Sequence, residues 1–228
     1  MLISFLKDLI NGTQVDTWKI VTLVLSSLFV IFLCLPLHEA AHAFTAHKLG
    51  DNTAKYQGRL SLNPLVHIDP IGALMLLFIG YGYARPVPIN PRNFKSPKHG
   101  MAISAAAGPV SNLLMAFIWS FFAMGTFALS FSTGHLWLYY VALFFDMAAL
   151  INVSLALFNL IPIPPLDGSR ILSLFLPERY YFMLMQYEKY SFMLLLALFW
   201  TGIMDGPFFT AVTTVYGWIN YLPGKIFF

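Results

Sequence analysis

From Ile20 to Leu37 the chain carries no charged residue, and the run ends in Pro36-Leu-His-Glu-Ala-Ala-His-Ala-Phe-Thr-Ala-His47. An apolar run of that length fits a helix crossing a bilayer, which every later expectation must accommodate. On a helix His38 and His42, four residues apart, share one face. That spacing lets two imidazoles bind one Zn²⁺, with Glu39 beside them placed to deprotonate a metal-activated water. Ionisable groups at the end of such a run are costly to bury and mark a functional site.

Composition supports a membrane protein: 58% of residues are hydrophobic and 10% charged, against about a quarter charged in soluble domains. At 228 residues we expect a single membrane-embedded domain over 1–228, with its core at about 18–175 and C-terminal helices over 178–222. Met1 to Ile10 contains Lys7 and Asp8 and lacks a basic start and a small-residue cleavage site, so no cleaved signal peptide is expected. The single cysteine, Cys34, cannot form an internal disulfide and reads as a buried apolar thiol.

The first span is expected from Trp18 to Leu49, stopped by Gly50-Asp-Asn. Between Lys48 and Lys98, prolines at 64, 70, 86, 88, 91 and 97 and glycines at 58, 72, 80 and 82 break up the chain. Only Ile71 to Ile79 is continuously apolar, too short for an ordinary span, so this stretch is expected to be re-entrant. Short strands are expected around Tyr56 to Leu62 and Ala84 to Ile89. Irregular backbone at membrane depth is tolerated where it is buried in protein or lines a water-filled cavity, as at an active-site vestibule. Gly100 to Gly134 is charge-free and gives a second span, in which Ala105-Ala-Ala-Gly-Pro109 allows close helix approach. Leu136 to Leu160 gives a third, interrupted by Asp146, and the prolines of Pro162-Ile-Pro-Pro165 end it. Residues 178–189 read as an interfacial helix, Ser191 to Met204 as a fourth span, and Phe208 to Leu222 as a fifth. The predicted class is an all-α polytopic membrane protein with about five to six transmembrane helices and a re-entrant, partly β segment between the first and second core spans.

Lys48, Lys55, Arg59, Arg85, Arg92, Lys95 and Lys98 all fall between the first and second spans, and no lysine or arginine falls between the second and third. The positive-inside rule then puts 48–98, the motif's end of the first helix and 162–190 on the cytoplasmic side. Lys7 and Lys19 would lie outside, against the trend.

Two histidines leave a catalytic zinc site one ligand short. His47, His67, Asp69, Asp146 and Asp167 are the candidates for the third. His47 is off the ligand face and reads as an interface residue, and Asp146 sits in regular helix. Asp167, after the proline run and before Gly168, can be aimed inward from the end of the third span, although Leu-Asp-Gly-Ser is also ordinary turn chemistry. Asn63, His67 and Asp69 lie among Asn-Pro and Asp-Pro turns and read as structural. Arg85 and Arg92 read as membrane-surface anchors.

His38-Glu39-x-x-His42, Leu166-Asp167-Gly168, Gly58-Arg-Leu-Ser-Leu-Asn-Pro64, His67-Ile-Asp-Pro70, Arg85-Pro-Val-Pro-Ile-Asn-Pro91 and Gly108-Pro-x-x-Asn112 together resemble the site-2 protease family of intramembrane zinc metalloproteases. The likeness covers roughly 30–175 and is nearest the small bacterial type without a PDZ or CBS module. The resemblance implies His38, His42 and Asp167 as ligands of one Zn²⁺, Glu39 as general base and Asn159 near the reacting carbonyl. It also implies a transmembrane protein substrate, multi-pass residence in the cell membrane with the active site near the cytoplasmic face, and no nucleic-acid partner. Self-association is left open. The alternative readings are a metal-ion transporter or a non-catalytic relative that binds membrane helices.

Overall fold

The computed structural model describes residues 16–79, 82–177, 190, 191, 193, 197, 201, 202 and 204–228. Its first helix, α1, runs from Thr17 to Lys48. Asp16 caps it, its carboxylate accepting from Trp18 N at 3.0 Å. Val30–Cys34 is a π turn within this helix, just ahead of Pro36. Proline lacks an N–H and its ring clashes with the carbonyl four residues back, so a wider turn lets the helix pass through it. The register after that turn sets the faces of His38 and His42.

Three short helices follow: α2 at Thr53–Tyr56, α3 at Pro64–His67 and α4 at Pro70–Ile79. Asn63 caps α3 by accepting from Leu65 N, and Asp69 accepts from Ile71 N and Gly72 N at the start of α4. In each case proline occupies the first helical position, where its missing N–H costs nothing. After α4 the chain doubles back, and Arg85 N donates to His67 O at 2.7 Å, closing the excursion where it began. The return is tight. A Cβ on Gly72 would lie 1.9 Å from Tyr83 O, so only glycine admits the returning backbone there.

The long helices α5, Pro97–Thr133, and α6, Leu136–Asn159, form a hairpin joined through Gly134, whose φ of 71° is the left-handed cap glycine favours. The short α7, Asp167–Leu172, follows α6, and α8, Asp205–Phe227, lies along the α5–α6 pair. Phe208 at the start of α8 meets Phe158 at the end of α6, while Phe227 near its end packs on Gly125 and Phe121 of α5. The start of α8 therefore sits at the end of the bundle where α6 finishes.

Among the described residues three helices, α1, α5 and α6, are long and apolar enough to cross a membrane, close to the bounds expected from the sequence. The fold is all-helical among the described residues, and the expected strands are a correction. Only Tyr56 of the first falls in a helix, at the end of α2, and neither its remaining residues nor the second, Ala84 to Ile89, form a strand. Side chains take its polar groups instead: Arg59 holds the carbonyls of Arg85 and Pro86, Glu39 accepts from Val87 N, and Asp51 accepts from Asn90 N. The interfacial helix over 178–189 and most of the expected span at 191–204 lie outside the described residues.

Candidate metal centre

His38 and His42 project from one face of α1 towards α5. What lets the two helices meet there is Gly108, where a Cβ would lie 2.3 Å from His42 Nε2 and 2.5 Å from His38 Cε1. One turn earlier on α5, Ser104 O accepts from His42 Nδ1 at 2.7 Å. A carbonyl only accepts, so Nδ1 carries the proton and Nε2 keeps its lone pair. Asp167 comes from the opposite quarter. The chain turns sharply after α6, and Gly168 lies so close to Leu160 O that a Cβ would sit 2.2 Å from it. That contact folds the start of α7 back over the end of α6 and aims the carboxylate at the histidines.

Three buried atoms of metal-ligand type then face one another. His42 Nε2 lies 3.0 Å from His38 Nε2, and Asp167 Oδ2 lies 3.2 Å from His42 Nε2 and 3.5 Å from His38 Nε2. Asp167 Oδ2 is buried with no hydrogen bond. Lone pairs brought together this way call for a cation between them. Tetrahedral ligands about 2.0–2.1 Å from a zinc ion stand about 3.3 Å apart, and the observed triangle brackets that edge. The group can bind one metal ion.

Glu39, on the same turn of α1, is buried and accepts from Val87 N at 3.0 Å through Oε2. Asn159 is not drawn into the triangle: at the last residue of α6, its Nδ2 donates back to Leu155 O at 3.0 Å. The other candidates stand elsewhere. His47 Nδ1 meets Asn52 Oδ1 at 2.5 Å, His67 Nε2 donates to Ser61 O at 2.7 Å, Asp69 caps α4, and Asp146 accepts from the Tyr216 hydroxyl of α8. Sequence reasoning passed over Ser104, Val87, Arg59 and Asp51. Gly108 it read as a helix-packing residue and as part of the family-like Gly108-Pro-x-x-Asn112, not as a neighbour of the histidines, although the four-residue spacing of Ser104 and Gly108 was a usable sign of a shared face.

Comparison with known proteins agrees with this geometry. A family model described as peptidase family M50 matches residues 124–201. YwhC of Bacillus subtilis, named a proposed zinc metalloprotease, is 44% identical over 179 residues, covering 76% of this chain and 79% of its own. Rip2 of Mycobacterium tuberculosis strain H37Rv, named likewise, is 30% identical over 189 residues, covering 81% of this chain and 69% of its own. MJ0611 of Methanocaldococcus jannaschii, also so named, is 32% identical over 139 residues, or 59% of this chain and 62% of its own. No solved structure gives a significant match.

Proposed function

Because this chain belongs to peptidase family M50, we propose that it is an intramembrane zinc endopeptidase that cleaves transmembrane or membrane-associated helices. The observation that carries the reading is the convergence of His38 Nε2, His42 Nε2 and Asp167 Oδ2, with Glu39 on the same helical turn. These three atoms would hold one zinc ion, which when bound would supply Lewis acidity and make water nucleophilic near neutral pH. Glu39 takes the proton of the attacking water and returns it to the leaving amine. The Val87 N–H anchors one carboxylate oxygen and so fixes the direction of the other. Asn159, freed from its bond to Leu155, donates its amide to the developing oxyanion.

The excursion from Pro64 to Asn90 enters the bilayer and returns to the same face, consistent with the Arg85–His67 closure. A substrate helix hides its peptide bonds in its own hydrogen bonds and must unwind before attack. Extended backbone at 84–90 receives it as an added strand. Proline at 86 and 88 supplies no N–H and Arg59 already holds the Pro86 carbonyl, so the ladder draws on the other backbone groups of the segment. Lys98 Nζ donates to Leu176 O, tying the basic 48–98 region to the α7 end of the bundle. That end faces the cytoplasm by the positive-inside rule. α8 covers the expected fifth span, Phe208 to Leu222, and lies beside α5, but it is not among the helices apolar enough to cross a membrane. A transporter needs ligands along a path, whereas among the described residues His38, His42 and Asp167 form a single such group.

The test is cleavage of a tagged model transmembrane substrate by purified protein in detergent. Glu39→Gln is expected to keep its zinc and lose all turnover. If Glu39→Gln cuts at the wild-type rate, the base is misassigned.

A further inference from the structure

Seven basic residues fall between 48 and 98, and one of them is buried. Lys48, Lys55, Arg85, Arg92 and Lys95 are exposed and Lys98 is half-buried, while Arg59 is only 8% exposed. Arg59 is therefore no surface anchor. Burying a guanidinium is unfavourable unless its donors and charge are met. Its Nη2 donates to Arg85 O and to Pro86 O, the latter at 3.1 Å. Burial lowers its affinity for its proton, and the nearby Glu39 carboxylate works against that loss. The next residue after the two gripped carbonyls is Val87, whose N–H donates to Glu39 Oε2 at 3.0 Å. Because proline at 86 and 88 supplies no N–H, Val87 is the donor this part of the segment has to offer Glu39.

We propose that Arg59 is a positioning residue for the proteolytic base: by gripping Arg85 and Pro86 it keeps the Val87 N–H aimed at Glu39. The role rests on Glu39 acting as the base, but the mechanical link does not. Arg59 and Glu39 approach the 85–87 segment from different elements, one from the loop after α2 and one from α1. The segment between them transmits position, and Val87 is additionally buried against Ala43 and Ala54.

Full-length protein in detergent tests this with Arg59→Met, Arg59→Lys, Val87→Pro and the Arg59→Met/Val87→Pro double variant. Hydrogen exchange over residues 85–90 is the first readout and needs no substrate. Arg59→Met is expected to exchange faster there than wild type, with Arg59→Lys between the two. In turnover, Arg59→Met and Val87→Pro should each lower kcat on the order of tenfold, with KM within about twofold and zinc content unchanged. The double variant should be no slower than either single one, since both break the same link. Unchanged exchange in Arg59→Met overturns the proposal, as do losses in kcat that multiply in the double variant. If the wild type cuts no substrate, the protease reading fails while the exchange result still decides the link.

Discussion

At Gly108 the second long helix comes so near both histidine rings that any side chain would occupy ligand space, its Cβ 2.3 Å from His42 Nε2. A methyl group must push the rings apart or tilt α5 away, and tilting withdraws the Ser104 carbonyl that orients His42. Loss of such an outer partner typically weakens metal binding about tenfold to a hundredfold. Gly108→Ala is therefore expected to lower zinc affinity at least that much while leaving helix content unchanged, as read by zinc titration and circular dichroism. Full zinc affinity in Gly108→Ala would show that the close approach does not constrain the site. Residue by residue, the sequence showed His38, Glu39 and His42 because their spacing is local to one helix. Asp167 was one candidate among five until a family likeness favoured it. Its partners are 125 and 129 positions away, 167 − 42 and 167 − 38, and spacing carries no information over such a distance.

Among elements, the long helices were legible because a charge-free run of sufficient length has few alternatives in a membrane. The stretch from 48 to 98 was harder. Its prolines and glycines announced breaks, and Asn63-Pro64, Asp69-Pro70 and Asn90-Pro91 each proved to be a capping residue followed by proline at the first helical position. At Ala84 to Ile89 the valine, isoleucine and prolines favour a strand-like backbone but say nothing of its partners. Here those partners are single side chains. Asp51 is one of them: fully buried, it accepts from Thr53 N, Thr53 Oγ1, Asn90 N and Asn93 Nδ2, at 2.5–3.0 Å. Burial pushes its carboxyl up, but these bonds outweigh burial and hold it below its usual range. A depressed folded value means the stabilisation is complete above the unfolded value of about 3.9 and lost as pH falls through the folded one. Asp51→Asn should therefore cost about 2 kcal/mol at neutral pH. The gap in thermal midpoint between the two proteins should close as pH drops below about 4. A gap that persists unchanged into acid would contradict the ionised role of Asp51.

The molecule as a whole is a helical bundle whose polar interior contacts are few and specific. Ser26 Oγ of α1 donates to Phe144 O of α6, Ser120 Oγ of α5 to Asn220 Oδ1 of α8, and Tyr216 of α8 to Asp146 of α6. In a bilayer, where apolar contact alone drives helices together weakly, such hydrogen bonds and close-packed small residues fix which faces meet. The proposed metal centre depends on that arrangement, since its proposed ligands come from α1 and α7 and the carbonyl that meets His42 from α5. The three are assembled only when the chain has folded around them. The most direct measurement is zinc content per chain in purified wild-type protein and in Asp167→Ala, each confirmed as folded by its helical signal. One zinc per wild-type chain and almost none in Asp167→Ala is the predicted result. Equal zinc in the two proteins would contradict the His38–His42–Asp167 centre.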